Sequence, residues 1–133
     1  MSGTTARLRL AGDDRGALTL SYVAVLPFVF LFFMVIIQAA FWFLAREAAL
    51  AAARQGADAA RVLGAPRSAG PGAALAFAHR AGDGYLDDPV ASASGSTGSS
   101  VAITVSGHAP SFVPGLVVQV SETVQAPVEQ FRS

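Results

Sequence analysis

The chain has no cysteine and no lysine; its nine basic residues are all arginine and are balanced by nine acids. Without thiols there is neither a disulfide framework nor a thiolate zinc site, and the redox compartment is left open. A formal net charge of zero with no basic cluster gives no field to draw nucleic-acid phosphates, so no nucleic-acid partner is expected. A glycine-rich phosphate loop, a nucleophile elbow and a pair of catalytic carboxylates are also missing, and the serine-rich stretch Ala91–Ser100 has no base beside it. His79 and His108 stand far apart with no cysteine or spaced histidine partner, which suits solvent-facing or capping roles better than metal binding. Asp83, Asp87 and Asp88 gather around Gly84 but lack the alternate-residue spacing of a calcium loop. These absences predict a protein that is not an enzyme and holds neither metal nor cofactor.

Charge is missing from one long stretch as well: none of the thirty residues Gly16–Ala45 carries one. A buried core helix of a small soluble domain seldom runs past about 10 to 14 apolar residues, so lipid is the expected solvent for this segment. Fifteen of the residues in Val23–Leu44 are Val, Leu, Ile or Phe. At about −0.3 to −0.6 kcal/mol each they favour insertion by roughly 4 to 9 kcal/mol, which Gln38 and Pro27 do not reverse. At about 1.5 Å per residue the segment is roughly 33 Å long, close to the ~30 Å hydrocarbon thickness. Tyr22 and Trp42 stand twenty residues apart, near the two ends of the run, and are expected at the two membrane interfaces. Pro27 removes a backbone donor and is expected either to kink the helix or to sit at little cost in its first turns. A removable signal peptide, with Ala49-Leu50-Ala51 as its small-residue cleavage site, is the rival reading, although its apolar region is typically only about 7 to 15 residues. Arg7, Arg9 and Arg15 before the segment and Arg46, Arg54 and Arg61 after it leave orientation undecided by charge.

Beyond the apolar run, Ala45 to Leu63 is rich in the best helix former. Glu47, Arg54, Asp58 and Arg61 recur on one helical face, opposite small residues that include Ala45, Ala49, Ala52, Gly56, Ala59 and Ala60. Such a small-residue face suits close packing against identical neighbours or against the chain's own downstream domain, and an Ala-rich stalk without a partner is the plainer alternative. Gly64-Ala65-Pro66 and Gly70-Pro71-Gly72 are expected to stop the helix, with a short helix over Ala73–Ala81 and a low-order linker over Ala91–Ser100. Val101, Ile103 and Val105 alternate with small or polar residues, and Leu116–Gln125 repeats the pattern through Val118 and Val120. With Pro110–Gly115 as the turn, the two runs predict an antiparallel hairpin that needs a third strand or the Ala-rich helix to cover its apolar face. The fold class expected is α+β: a long amino-terminal transmembrane helix continuing as an Ala-rich helix, then a small antiparallel β-hairpin head.

Just before the apolar run stands Asp13-Asp14-Arg15-Gly16-Ala17-Leu18-Thr19-Leu20-Ser21-Tyr22-Val23-Ala24-Val25-Leu26-Pro27. It resembles the amino-terminal signature of TadE-like pseudopilins, minor components of the tight-adherence branch of type IV pili. Arg15, Gly16, Ala17, Tyr22, Leu26 and Pro27 match that pattern, while Ser21 stands where the family commonly has Glu. The tail Ala126-Pro127-Val128-Glu129-Gln130-Phe131-Arg132 resembles that of actinobacterial members. The resemblance implies cleavage by a prepilin peptidase between Gly16 and Ala17, a cytoplasmic amino terminus, an extracytoplasmic head on a single-pass cell-membrane anchor, and other pilin or pseudopilin subunits as partners besides the lipid bilayer. It implies a minor pseudopilin acting in assembly of a tight-adherence pilus or pseudopilus. In pilins the Glu is thought to neutralise a neighbouring subunit's new amino terminus, a charge that Ser21 does not carry. The divisions expected are a basic leader 1–16, a transmembrane and extended helix 17–63, a short helix and flexible linker 64–100, and the hairpin with its tail 101–133. A membrane-anchored extracytoplasmic binding module with an uncleaved signal anchor is the alternative from another functional class.

Overall fold

A computed structural model describes the backbone of residues 5–62, 64–66 and 68–130, and the side chains of those residues from Gly16 onward. It divides into two compact units, Met1–Ile37 and Gln38–Ser133. The elements in chain order are helix α1 (Thr5–Ala60), helix α2 (Ala69–Ala81) and strands β1 (Asp87–Ser92), β2 (Ser100–Ala109) and β3 (Val118–Pro127). The α+β class expected from the sequence is the class observed.

In the first unit α1 is unbroken through Gly16 and Pro27. An interior glycine costs only about 1 kcal/mol relative to Ala, which a helix of this length absorbs. The helix thus begins ahead of Gly16 and not beside it, so Pro27 lies in the interior, outside the tolerant first turns. With no N–H of its own, Pro27 leaves the Val23 carbonyl without its usual partner four residues on. The large apolar side chains from Leu18 to Ile37 are exposed, apart from half-buried Met34, and the helix is long and apolar enough to cross a bilayer.

The second unit is built on a three-stranded antiparallel sheet of order β1-β2-β3. The hairpin runs in continuous register from Ala109↔Val118 to Ser100↔Pro127. Its link is the eight residues 110–117, longer than the expected Pro110–Gly115, because a turn at Val113-Pro114-Gly115-Leu116 carries Leu116 and Val117 outside the ladder. Leu116 N–H donates to the Val113 carbonyl at 3.1 Å and Gly115 has φ 80°, which with Pro114 before it is the type II pattern. The third strand that the hairpin requires is β1, an edge strand that accommodates Pro89, with Asp88 at φ 48° where the register shifts between Asp87 and Val90.

Two expectations for the middle of the chain are corrected. Gly70-Pro71-Gly72 does not stop a helix but lies in the first turns of α2. Proline is tolerated there because its N–H would have no intrahelical partner anyway. Ala91 and Ser92, expected in a linker, belong to β1, and the following Ser/Thr-rich loop is held by hydrogen bonds. Beyond the end of β1, the Ser96 hydroxyl bonds both the N–H and the carbonyl of Ala102 on β2, at 3.0 and 3.3 Å. The Thr97 hydroxyl accepts from Ser100 N–H at 3.1 Å, and the Ser99 carbonyl accepts from Val128 N–H at 3.0 Å. The small polar composition supplies local partners for the backbone in place of an apolar core.

One apolar cluster joins α1, α2 and the sheet: Ala45, Ala49, Ala52, Ala53 and Ala57 of α1, Ala74 and Ala78 of α2, and Val101, Ile103, Val105 and Val120 of the strands, with Leu86. The small-residue face of α1 is therefore packed on the chain's own downstream domain, shifted slightly so that Ala53 and Ala57 are buried and Ala59 half-buried. The tightest point is the crossing of α1 and α2, where a Cβ placed on Gly56 would lie 2.7 Å from the Gly70 carbonyl oxygen and 3.0 Å from Ile103 Cγ2. Gly56→Ala would gain about 1 kcal/mol of helix propensity, but backbone cannot yield as a side-chain tip can, and overpacking costs typically about 1–3 kcal/mol. Gly72, in the same helix pair, has nothing within 4 Å of the corresponding position. Gly56→Ala should lower the thermal midpoint of the detergent-solubilised chain and Gly72→Ala should leave it unchanged or raise it, read by circular dichroism; equal effects would rule out the crossing as the constraint.

Candidate functional site

The side chains singled out in the sequence fall into two groups. Gly16, Ala17, Ser21, Tyr22 and Pro27 lie in the first unit, each exposed on α1, and nothing is within 4 Å of a Cβ built on Gly16. The side chain of Arg15, like those of Arg7 and Arg9, lies outside the described residues, as do Phe131 and Arg132 of the tail. Trp42 belongs to the second unit, with the Arg46 guanidinium 5.8 Å from its ring centroid, a cation–π distance. The structure does not bring these residues together.

What it does bring together was not visible in the sequence. Gln38 is a cost in an apolar run, yet in the second unit its amide is used at both ends. Nε2 donates to the Pro110 carbonyl at 3.0 Å and Oε1 accepts from Phe112 N–H at 3.3 Å. One side chain thereby serves as a backbone-like partner for the β2–β3 loop, a role open to Gln because it carries a donor and an acceptor on one group. Next to it Phe41 packs edge-on against Phe112, with centroids 5.2 Å apart, and lies 6.4 Å from Tyr85. In the first unit the run of exposed large apolar side chains extends from Leu18 to Ile37. Its twenty residues span about 30 Å, still one hydrocarbon thickness.

A second contact explains a charge on the core-facing side of β3. Val118, Val120, Glu122, Val124 and Ala126 share one face, and Glu122 stands opposite Val105, which is fully buried. Arg46 of α1 answers it, Nε donating to Oε1 at 2.6 Å. With Arg46 49% and Glu122 20% exposed, solvent screens the pair and its contribution is at most about 1 kcal/mol. Its larger effect is on pairing specificity: a charge turned inward on an edge strand discourages the addition of another strand. The register would have revealed Glu122 had the alternation Val118, Val120 been carried one step further.

Chemistry-bearing side chains are dispersed. Among the described residues no three of His, Asp and Glu come together as a metal site would require. His79 is exposed in the last turn of α2 beside Arg80, where positive or polar groups complement the helix dipole, and Asp83, Asp87 and Asp88 are exposed. A cavity of about 220 Å³ is lined by Ala60, Val62, Ala93, Ser96, Thr97 and Val128 among others, with no titratable side chain in its described wall. Cleavage at Ala49-Leu50-Ala51 would remove Ala45 and Ala49 from the core of the head, which counts against the secretory-signal reading.

Among the described residues one helix is long and apolar enough to cross a membrane, and a small unit of α+β class follows it. The family model described as TadE-like protein matches residues 16–58, so over that stretch the chain is similar to the family that its amino-terminal motif resembles. No curated protein and no solved structure matches it.

Gln38→Leu keeps the volume of the side chain but removes the partner of the Pro110 carbonyl and of the Phe112 N–H, at about 0.5–1.5 kcal/mol for each bond because water reaches the exposed loop. Hydrogen exchange at Phe112 should accelerate while exchange along β2 and β3 stays slow; unaltered exchange at Phe112 would show that the amide pair does not hold the loop.

Proposed function

We propose that this chain is a TadE-like minor pseudopilin that acts in assembly of a tight-adherence pilus or pseudopilus through contacts and not through catalysis. The observation that carries the reading is the extent of the family match, which begins at Gly16 and runs to Asp58. It covers the exposed apolar stretch and the alanine face of α1, and it starts at the residue after which cleavage is expected. A prepilin peptidase would cut between Gly16 and Ala17 at the cytoplasmic face, next to Arg15. The new amino terminus would remain attached to the anchor, with the head outside. Gly16 suits this because it places no side chain between a protease and the peptide.

With Leu18–Ile37 as the lipid-facing stretch, Trp42 lies about 7.5 Å beyond its end and takes an interfacial position, while Tyr22 moves one turn inside it. Pro27 is a point at which the anchor can bend, since the helix lacks a hydrogen bond there. Ser21 offers a hydroxyl where a carboxylate would neutralise a neighbour's amino terminus, so contacts of this subunit within a filament would rest on packing.

The second reading, an anchored extracytoplasmic binding module with an uncleaved signal anchor, is favoured by the unbroken course of α1 through Gly16 and by Ser21. Amino-terminal sequencing separates the two. In cells with an active prepilin peptidase the mature chain should begin at Ala17, and an intact Met1 would sink the pseudopilin reading. Gly16→Trp should abolish processing, so that the mature mass rises by that of the leader. Ser21→Glu tests assembly and not processing: it should increase the yield of filament-associated subunit if that carboxylate is what the chain lacks.

A further inference from the structure

The β2–β3 loop, residues 110–117, exposes apolar side chains in water: Phe112 is 56% and Val117 71% exposed, with Val113 and Leu116 beside them. No charged residue occurs from Ala109 to Ser121. The loop is nonetheless ordered by hydrogen bonds that water does not supply. Pro110 and Pro114 have no N–H to satisfy. Phe112 N–H goes to Gln38, Val113 N–H to the Ser111 hydroxyl at 3.2 Å, and Leu116 N–H to the Val113 carbonyl. Three of the six loop residues that carry an N–H, Phe112, Val113 and Leu116, thus have it bonded internally, and apolar side chains turned outward over such a backbone suit the interfacial layer of a bilayer, where water still reaches polar groups. Gln38, which holds the loop, is the next residue in the chain after the exposed apolar stretch ending at Ile37.

We propose that the loop is a second membrane contact: Phe112, Val113, Leu116 and Val117 insert into the interfacial layer of the bilayer that α1 crosses. The occupant is lipid and not protein because the loop is joined, through Gln38, to the residue at which the anchor stretch ends, and that depth is the headgroup layer. Phe41, Trp42 and Tyr85 supply aromatic rings of the kind enriched there. Asp87 and Asp88 border the loop across a shallow depression, so attraction to anionic headgroups is not the driving force, and insertion should be indifferent to salt and to lipid charge. The head would then be held against the membrane at two points, which fixes its orientation before any subunit contact is made. This inference rests on α1 being the membrane anchor and is independent of processing or filament assembly.

The absence of cysteine makes the test direct. Val117→Cys, Gly98→Cys and Phe30→Cys, each in the full chain, carry an environment-sensitive fluorophore after reconstitution in phosphatidylcholine vesicles doped with shallow or deep nitroxide lipids. Val113→Cys replaces Val117→Cys if labelling there disturbs the fold. The loop label should be blue-shifted and lose fluorescence to the shallow nitroxide at low and high salt alike, whereas the Gly98 label should not. A loop label unquenched while the Phe30 label is quenched by the deep nitroxide overturns the inference and leaves the anchor standing. A loop label shielded from lipid and water together, and freed on dilution in lipid, makes the patch a subunit interface and also overturns it. If the Phe30 label escapes quenching, the anchor reading fails and the inference with it.

Discussion

Close approach of backbones across the alanine face of α1 is what the head depends on. Its sheet is only three strands wide, and both outer strands are edges, so the sheet alone buries little. The helices supply the missing surface, but Ala45, Ala49, Ala52, Ala53 and Ala57 carry only methyl groups. Their contribution comes from proximity: with no bulk between them, Ile103 and Val105 of the central strand are wholly buried, and α1 and α2 meet at Gly56 and Gly70. A larger residue at the crossing would lift the helices off the strand and expose these two, the largest completely enclosed side chains among the described residues. The head is therefore stable through fit and not through the amount of apolar area, which leaves it little tolerance for volume at that point.

The same helix meets two environments with two kinds of surface. From Leu18 to Ile37 it presents Leu, Val, Ile and Phe outward, which suits a solvent of hydrocarbon tails. From Gln38 it carries polar and small residues that serve contacts within the head. Gln38 marks the change. In lipid its amide would be an uncompensated cost, whereas at the β2–β3 loop it replaces a backbone partner for Pro110 and Phe112. Arg46 has a comparable role about two turns later, compensating the inward Glu122. Two polar side chains that a hydropathy profile scores against the helix are those that attach it to the sheet.

Much of this was legible from periodicity. The alternation of Val101, Ile103 and Val105 identified β2, the recurrence of Ala45, Ala49, Ala52 and Gly56 identified the packing face, and the uncharged stretch identified a helix long and apolar enough to cross a membrane. What misled were residues whose meaning depends on position along an element. Gly70-Pro71-Gly72 reads as a helix stop in the middle of a helix and as a tolerated start at its beginning, and only the docking of Gly70 on α1 decides which. Ala91–Ser100 lacks the apolar content of a strand, yet Ala91 and Ser92 complete β1 because β2 offers them a ladder.

The sequence by itself determined where the chain is apolar without interruption, where its small residues align, and that two strands would pair, since each follows from the solvent preference or spacing of neighbouring residues. Only the tertiary structure decided that the alanine face covers the chain's own sheet and that Gln38 and Glu122 have partners. The partners of Gln38 and Glu122 lie more than seventy residues away in the chain, and no local pattern encodes a contact at that distance.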